Sequence, residues 1–139
     1  MKISNTFLSI LLLTLLSSPS WSTSINALVE RDGLYYPQFS DVPFTGEVTG
    51  SQTQGSFKNG KKDGDWVRYH YNGQLRDKGN YNKGSKEGLW VVYFQNGQLF
   101  SKGNYYNGWN DGAWVYFNDD GTPSHTYTGT YKHSVKISD

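Results

Sequence analysis

From residue 55 onward, short runs of alternating apolar and polar positions are cut by glycine, and the cuts return every 24 residues. Trp66, Trp90 and Trp114 keep that spacing, as do the series Gly55, Gly79, Gly103; Gly60, Gly84, Gly108; Gly64, Gly88, Gly112; and Gly73, Gly97, Gly121. A fixed period of roughly 20–50 residues marks stacked units, none of which buries its apolar face alone. Each unit carries two strand-like stretches. Trp66 to Tyr71 precedes Asn72-Gly73, and Gln74 to Lys78 follows it. The glycine density leaves no apolar pattern of period 3.6, so helix is not expected. Asn-Gly is a strong hairpin signal because both residues tolerate the positive φ of a type I′ turn, and Asn96-Gly97 and Asp120-Gly121 repeat it.

Pairing across two-residue turns sets Trp66 opposite Gly79, Gly64 opposite Tyr81, Trp90 opposite Gly103 and Gly88 opposite Tyr105. A large ring beside a bare backbone position avoids a cross-strand clash, so this face, with Leu75 and Leu99, is the expected core. The other face then holds Val67, Tyr69, Val91, Tyr93, Val115 and Phe117 with Arg76, Lys78, Phe100 and Lys102. From it come the candidate binding residues: Tyr69, Tyr93, Phe117, Arg76, Lys78 and Lys102. The third unit gains two residues around Thr122 to Thr126. An even insertion preserves side-chain direction and predicts a bulge or longer loop. Tyr131 to Ile137 alternates as a final strand, with Lys132 and Lys136 as charges that blunt a sheet edge.

The expected class is therefore all-β: an elongated single sheet, or solenoid, of successive antiparallel hairpins. Residues 55–139 hold three units of 24–26 residues and a half unit, and residues 23–54 a cap with a degenerate unit. Thr45-Gly46-Glu47-Val48 parallels Asp63-Gly64-Asp65-Trp66. Asp32-Gly33 is a turn signal, whereas Pro37 and Pro43 discourage strand pairing.

Residues 1–22 read as an export signal. Met1 and Lys2 open it, an apolar run covers Phe7 to Leu16, and small residues follow at Ser17, Ser18, Ser20 and Ser22. The run is shorter than the ~20 residues of a membrane span. Cleavage is expected after Ser22, or alternatively after Ala27. The chain has no cysteine, which excludes disulfide staples and a lipid-modified cysteine anchor. Removing Lys2 leaves twelve basic and twelve acidic residues, a balance that argues against nucleic acid as partner.

The cadence Gly64-Asp65-Trp66-Val67-Arg68-Tyr69, Asn72-Gly73-Gln74-Leu75, Lys78-Gly79-Asn80-Tyr81, Lys83-Gly84-Ser85-Lys86-Glu87-Gly88 resembles the MORN-variant repeat of bacterial proteins over about residues 44–137. That resemblance implies an elongated sheet of hairpins acting as an interaction scaffold. Many such proteins are labelled antitoxins, which implies an inhibitor of a partner protein as an alternative, and some eukaryotic relatives are associated with acidic phospholipid.

Three chemistries compete for these residues. Exposed tryptophans would stack on glycan, whereas buried ones would be the repeat core together with Tyr81, Tyr105, Gly64, Gly88, Gly79 and Gly103. Lys61, Lys62, Lys83 and Lys86 in the turns between hairpins could meet anionic lipid, but Asp63, Glu87 and Asp111 beside them offset that attraction. Asn118-Asp119-Asp120-Gly121 reads as a turn before a calcium loop. His70, His125 and His133 lack metal-ligand spacing, and no facing carboxylate pair exists. The expectation is a non-enzymatic exported binding protein without cofactor or metal, whose partner is another protein, or alternatively envelope glycan or anionic lipid.

Overall fold

The computed structural model describes residues 22–139, so the expected export signal lies outside the described residues except for Ser22. The fold is all-β, built on an open, mostly antiparallel sheet of 11 strands. In chain order the strands are β1 (Thr23–Ser24), β2 (Leu28–Arg31), β3 (Leu34–Pro37), β4 (Gly46–Thr49), β5 (Thr53–Lys58), β6 (Lys61–Lys62), β7 (Gly64–Tyr69) and β8 (Leu75–Asn82). They continue as β9 (Ser85–Tyr93), β10 (Leu99–Tyr106), β11 (Trp109–Tyr116), β12 (Gly129–Lys132) and β13 (Val135–Ser138). The sheet runs β1-β4-β5-β7-β8-β9-β10-β11-β12-β13, with β6 paired to β5 and only β1 parallel to its neighbour. From β7 onward neighbours in sequence are thus neighbours in space.

The cap departs from expectation. Leu28 to Pro37 forms a separate hairpin, β2–β3, with Pro37 paired to Leu28 at its end. A proline in the last strand position removes no inner ladder bond, so Pro37 terminates the hairpin instead of preventing it. Backbone bonds from Tyr35 N to Gly60 O and from Phe44 N to Tyr35 O hold this hairpin on the sheet.

The ring-to-glycine register is the expected one, with Trp66 opposite Gly79, Gly64 opposite Tyr81, Trp90 opposite Gly103 and Gly88 opposite Tyr105. The indole, however, leans the other way. A Cβ on Gly55 would sit 2.4 Å from the Trp66 ring, one on Gly79 2.3 Å from Trp90 and one on Gly103 2.2 Å from Trp114. Each tryptophan therefore covers the glycine of the preceding hairpin, and each hairpin closes its predecessor. Gly88 serves differently, because nothing lies within 4 Å of its would-be side chain and its φ is +66°. It occupies an irregularity where three residues of β9 face the single Gly79 of β8. Its left-handed backbone, not space for a ring, is what favours glycine there.

The hairpin loop differs from the expected two-residue type I′ turn. Gly73 N donates to His70 O and His70 N to Gln74 O, which makes Tyr71-Asn72-Gly73 a three-residue loop with Gly73 alone at positive φ. Type I′ geometry occurs instead between hairpins, as at Lys83-Gly84, with φ of +49° and +94° and Asn82 paired to Ser85. The extra loop residue is compensated by a bulge at Arg76, since Arg68 faces Asp77 but Tyr69 faces Leu75. This restores the register at Trp66 and reverses the faces nearer the loop. Leu75 and Leu99, expected in the tryptophan core, stand opposite Tyr69 and Tyr93. Arg76 and Phe100, expected beside the tyrosines, reach the tryptophan side. Arg76 Nε lies 3.5 Å from the Asp77 carboxylate, and the Phe100 ring meets Tyr116, which stacks on Trp114.

The two-residue insertion does form a longer loop. Trp114 still faces Gly129 and Gly112 faces Tyr131, while Ser124 N reaches back to Tyr116 O.

Substituting Gly79 by Ala forces a methyl group against the Trp90 ring and its backbone seat. We expect a loss of about 2–3 kcal/mol in urea unfolding. Gly84→Ala, whose nearest neighbour is a flexible lysine stem at 3.7 Å, meets backbone strain without that clash and loses about 1 kcal/mol. Equal losses at the two positions contradict the packing.

Candidate functional site

One face of the sheet is an aromatic chain. Tyr35, Phe57, Trp66, Tyr81, Trp90, Tyr105 and Trp114 follow one another with centroids 4.8–6.1 Å apart, most of them edge to face. Trp66, Trp90 and Trp114 are 3%, 1% and 2% exposed, and their indole N–H groups donate to Ser56 O, Asn80 O and Asn104 O. Such a stripe packs the repeat and offers no free indole surface to a sugar.

Lys62 and Lys86, placed in sequence beside the turns, fold over this face. Lys62 Nζ sits 4.9 Å from the Trp66 ring and Lys86 Nζ 4.4 Å from Trp90. Burial lowers both ammonium pKa values, and the nearby Arg68 charge adds to that. Burial likewise raises the phenols of Tyr35, Tyr81, Tyr105 and Tyr116. The neighbouring acids have a purpose other than pairing these lysines. Asp63 Oδ2 accepts from Lys83 N and Glu87 Oε2 from Asn107 N, each capping the next type I′ turn along the sheet. Asp111 instead meets Lys132 Nζ at 2.9 Å.

The opposite face carries the expected strip in part. Tyr69, Tyr93 and Phe117 are half-buried, and Lys78 and Lys102 are exposed alongside them. Lys78 lies opposite Val67 and Val91, and Lys102 opposite Val91 and Val115. Lysine stems on either side leave Val91 only 8% exposed, while Leu89 in the next row is 50% exposed. A shallow groove of about 310 Å³ runs past Asp65, Val67, Lys78, Leu89 and Val91. Leu89 was not among the sequence candidates. Its signal was an apolar residue at the position occupied by Asp65 one unit earlier.

Sequence reasoning also missed Arg68 and Asp77. Asp77 is 3% exposed and accepts from Arg68 Nε at 2.8 Å. One unit on, the same positions hold Val92 and Ser101. That departure from the chain's own repeat was visible in the sequence.

Asn118 to Gly121 forms the third hairpin loop. Asp120 Oδ1 accepts from Thr122 N and Thr122 Oγ1, and these bonds hold its carboxyl below the usual range. His70 Nε2 is 3.0 Å from Tyr93 O and so braces one hairpin on the next. Among the described residues, no three His, Cys, Asp or Glu side chains gather as metal ligands, and no helix is long and apolar enough to cross a membrane. Comparison of the sequence with protein-family models and with curated proteins finds no match.

The raised phenols set a pH limit. A group whose folded pKa exceeds its unfolded value contributes stability that is lost as pH rises past the unfolded value, here 10.0. The lowered lysines act oppositely, since losing their charge relieves a burial cost. Replacing Tyr81 and Tyr105 by Phe removes two of the opposing phenols. The alkaline midpoint of unfolding, followed by circular dichroism, should therefore move up, and an unchanged or lower midpoint contradicts this assignment.

Proposed function

We propose that the chain is an exported, non-enzymatic β-repeat scaffold, a solenoid-like stack of MORN-variant hairpins that binds another protein through the face bearing Leu89, Val91, Val115, Tyr69, Tyr93 and Phe117. The observation that carries this reading is the division of labour between the faces. The indoles of Trp66, Trp90 and Trp114 are spent on the interior, while the opposite side keeps a half-exposed leucine and a valine row between lysines. An apolar centre with a charged margin is how a protein-binding surface is built. The 24-residue recurrence of turns, caps and indole bonds supports the family resemblance. An antitoxin-like inhibitor is one form such a scaffold takes.

Export rests on the pattern of residues 1–22. Cleavage after Ser22 retains β1, which pairs with Val48 and Thr49 and covers the outer edge of β4. Cleavage after Ala27 removes that strand, so the earlier position is favoured.

A second reading has its own observation. Tyr106 and Trp109 face each other across the Asn107-Gly108 turn and are 55% and 54% exposed. Two solvent-facing rings at one turn suit the face of an envelope sugar.

Leu89→Asp combined with Tyr93→Ala should keep the circular dichroism spectrum and lose photo-crosslinks formed from a probe at position 102 in envelope extracts. Unchanged crosslinks exclude this face as the docking surface. Trp109→Ser separates the alternative, because it should abolish co-sedimentation with peptidoglycan if glycan is the ligand and leave crosslinks unaltered otherwise.

A further inference from the structure

The first full unit breaks its own repeat at three positions that meet in space. Arg68, Arg76 and Asp77 stand where the second unit has Val92, Phe100 and Ser101. The second-unit residues suit an interior, so packing alone does not call for three ionic groups in the first. Asp77 is buried and takes Arg68 by Nε at 2.8 Å and approaches Arg76 Nε at 3.5 Å. One carboxylate thus orients two guanidinium groups, and one positive charge is left over. No Nη hydrogen bond of either arginine is made among the described residues. Both arginines line a pocket of about 230 Å³ whose other walls are Gln52, Thr53, Tyr69, His70 and Tyr71. Further along the same face stand Lys62 and Lys86, so the surrounding field stays positive.

We propose that Arg68 and Arg76, oriented by Asp77, form a binding site for an oxyanion, a carboxylate or a phosphate carried on a small ligand. The planar fork of a guanidinium matches two oxygens of either group, and orientation in advance reduces the ordering cost of binding. Exposed Tyr71, with Gln52, Thr53 and His70, lines the side of the pocket on which the rest of such a ligand rests. The unit's odd residues make a local anion site, and the other units keep the plain interior version. Of the docking residues Tyr69 alone borders this pocket, and the proposal does not depend on that surface, which lies around Leu89.

The test titrates the chain with sodium phosphate and, separately, sodium benzoate at constant ionic strength set with sodium chloride. It follows the backbone amide resonances of Tyr69, His70 and Tyr71. Saturable shifts with a dissociation constant of about 1 mM or tighter are expected from at least one probe. Saturation by phosphate alone, by benzoate alone or by both identifies which source of the oxyanion the site accepts. The triple variant Arg68→Val, Arg76→Phe, Asp77→Ser copies the second unit, so it should fold and lose saturation. Arg76→Gln, at an exposed side chain, keeps the Arg68–Asp77 pair and should weaken binding about tenfold, which guards against failure of the triple variant to fold. Linear, non-saturating shifts with both probes overturn the proposal, as does undiminished binding by the triple variant or by Arg76→Gln.

Discussion

An indole lying flat on a bare backbone is the contact from which the rest of this sheet follows. Gly55, Gly79 and Gly103 leave no room for even a methyl group beneath Trp66, Trp90 and Trp114. A tryptophan brings one of the largest apolar surfaces a side chain has, and a two-stranded unit has no interior of its own in which to hide it. Seating the ring on the previous hairpin solves both problems. It also imposes direction, because every hairpin covers the one before and is covered by the one after. At the start, Val48 and Phe57 take the places of the large rings, and Ile25, Leu28, Tyr35 and Phe44 close that end of the core.

The remaining regularities keep the seats at a fixed pitch. Gly84 N donates to Lys62 O and Gly108 N to Lys86 O, which ties each type I′ turn to the strand behind it. At the opposite edge Asn72 Nδ2 donates to Gln95 O and Asn96 Nδ2 to Asp119 O, so the hairpin loops form a second ladder. Polar side chains here are spent on backbone groups that turns leave unpaired. Against so regular a background, an ionic cluster at Arg68, Arg76 and Asp77 stands out as an addition that the stacking does not require.

Much of this was legible in the sequence because glycine and tryptophan columns report geometry directly. The period, the hairpin order and the ring-to-glycine register could all be read from spacing. Which glycine a ring covers could not, since Trp90 is paired with Gly103 yet lies over Gly79, and only the tilt of the indole decides. The loop-end faces were misassigned for a single reason. Tyr71 joins the loop and Arg76 bulges, two one-residue changes that cancel at Trp66 but invert Leu75 and Arg76 between them. As for the candidate sites, Tyr69, Tyr93, Lys78 and Lys102 keep their expected face, whereas Leu89 and Arg68 emerged only from exposure and pocket geometry. Their sequence signal was contrast between units, which a search for what recurs passes over.

The central claim is that each unit is completed by its neighbour alone, as in a one-dimensional stack. Deleting one whole period, Gly79 to Lys102, tests it most directly, because Trp114 keeps Gly103 beneath it and the new junction presents Gly103 to Trp66 as Gly79 did. Denaturant unfolding followed by tryptophan emission should show a folded, cooperative and less stable chain, with a smaller dependence on denaturant in keeping with the surface removed. A shortened chain that is unfolded in buffer, with its indoles emitting as in water, would contradict the account.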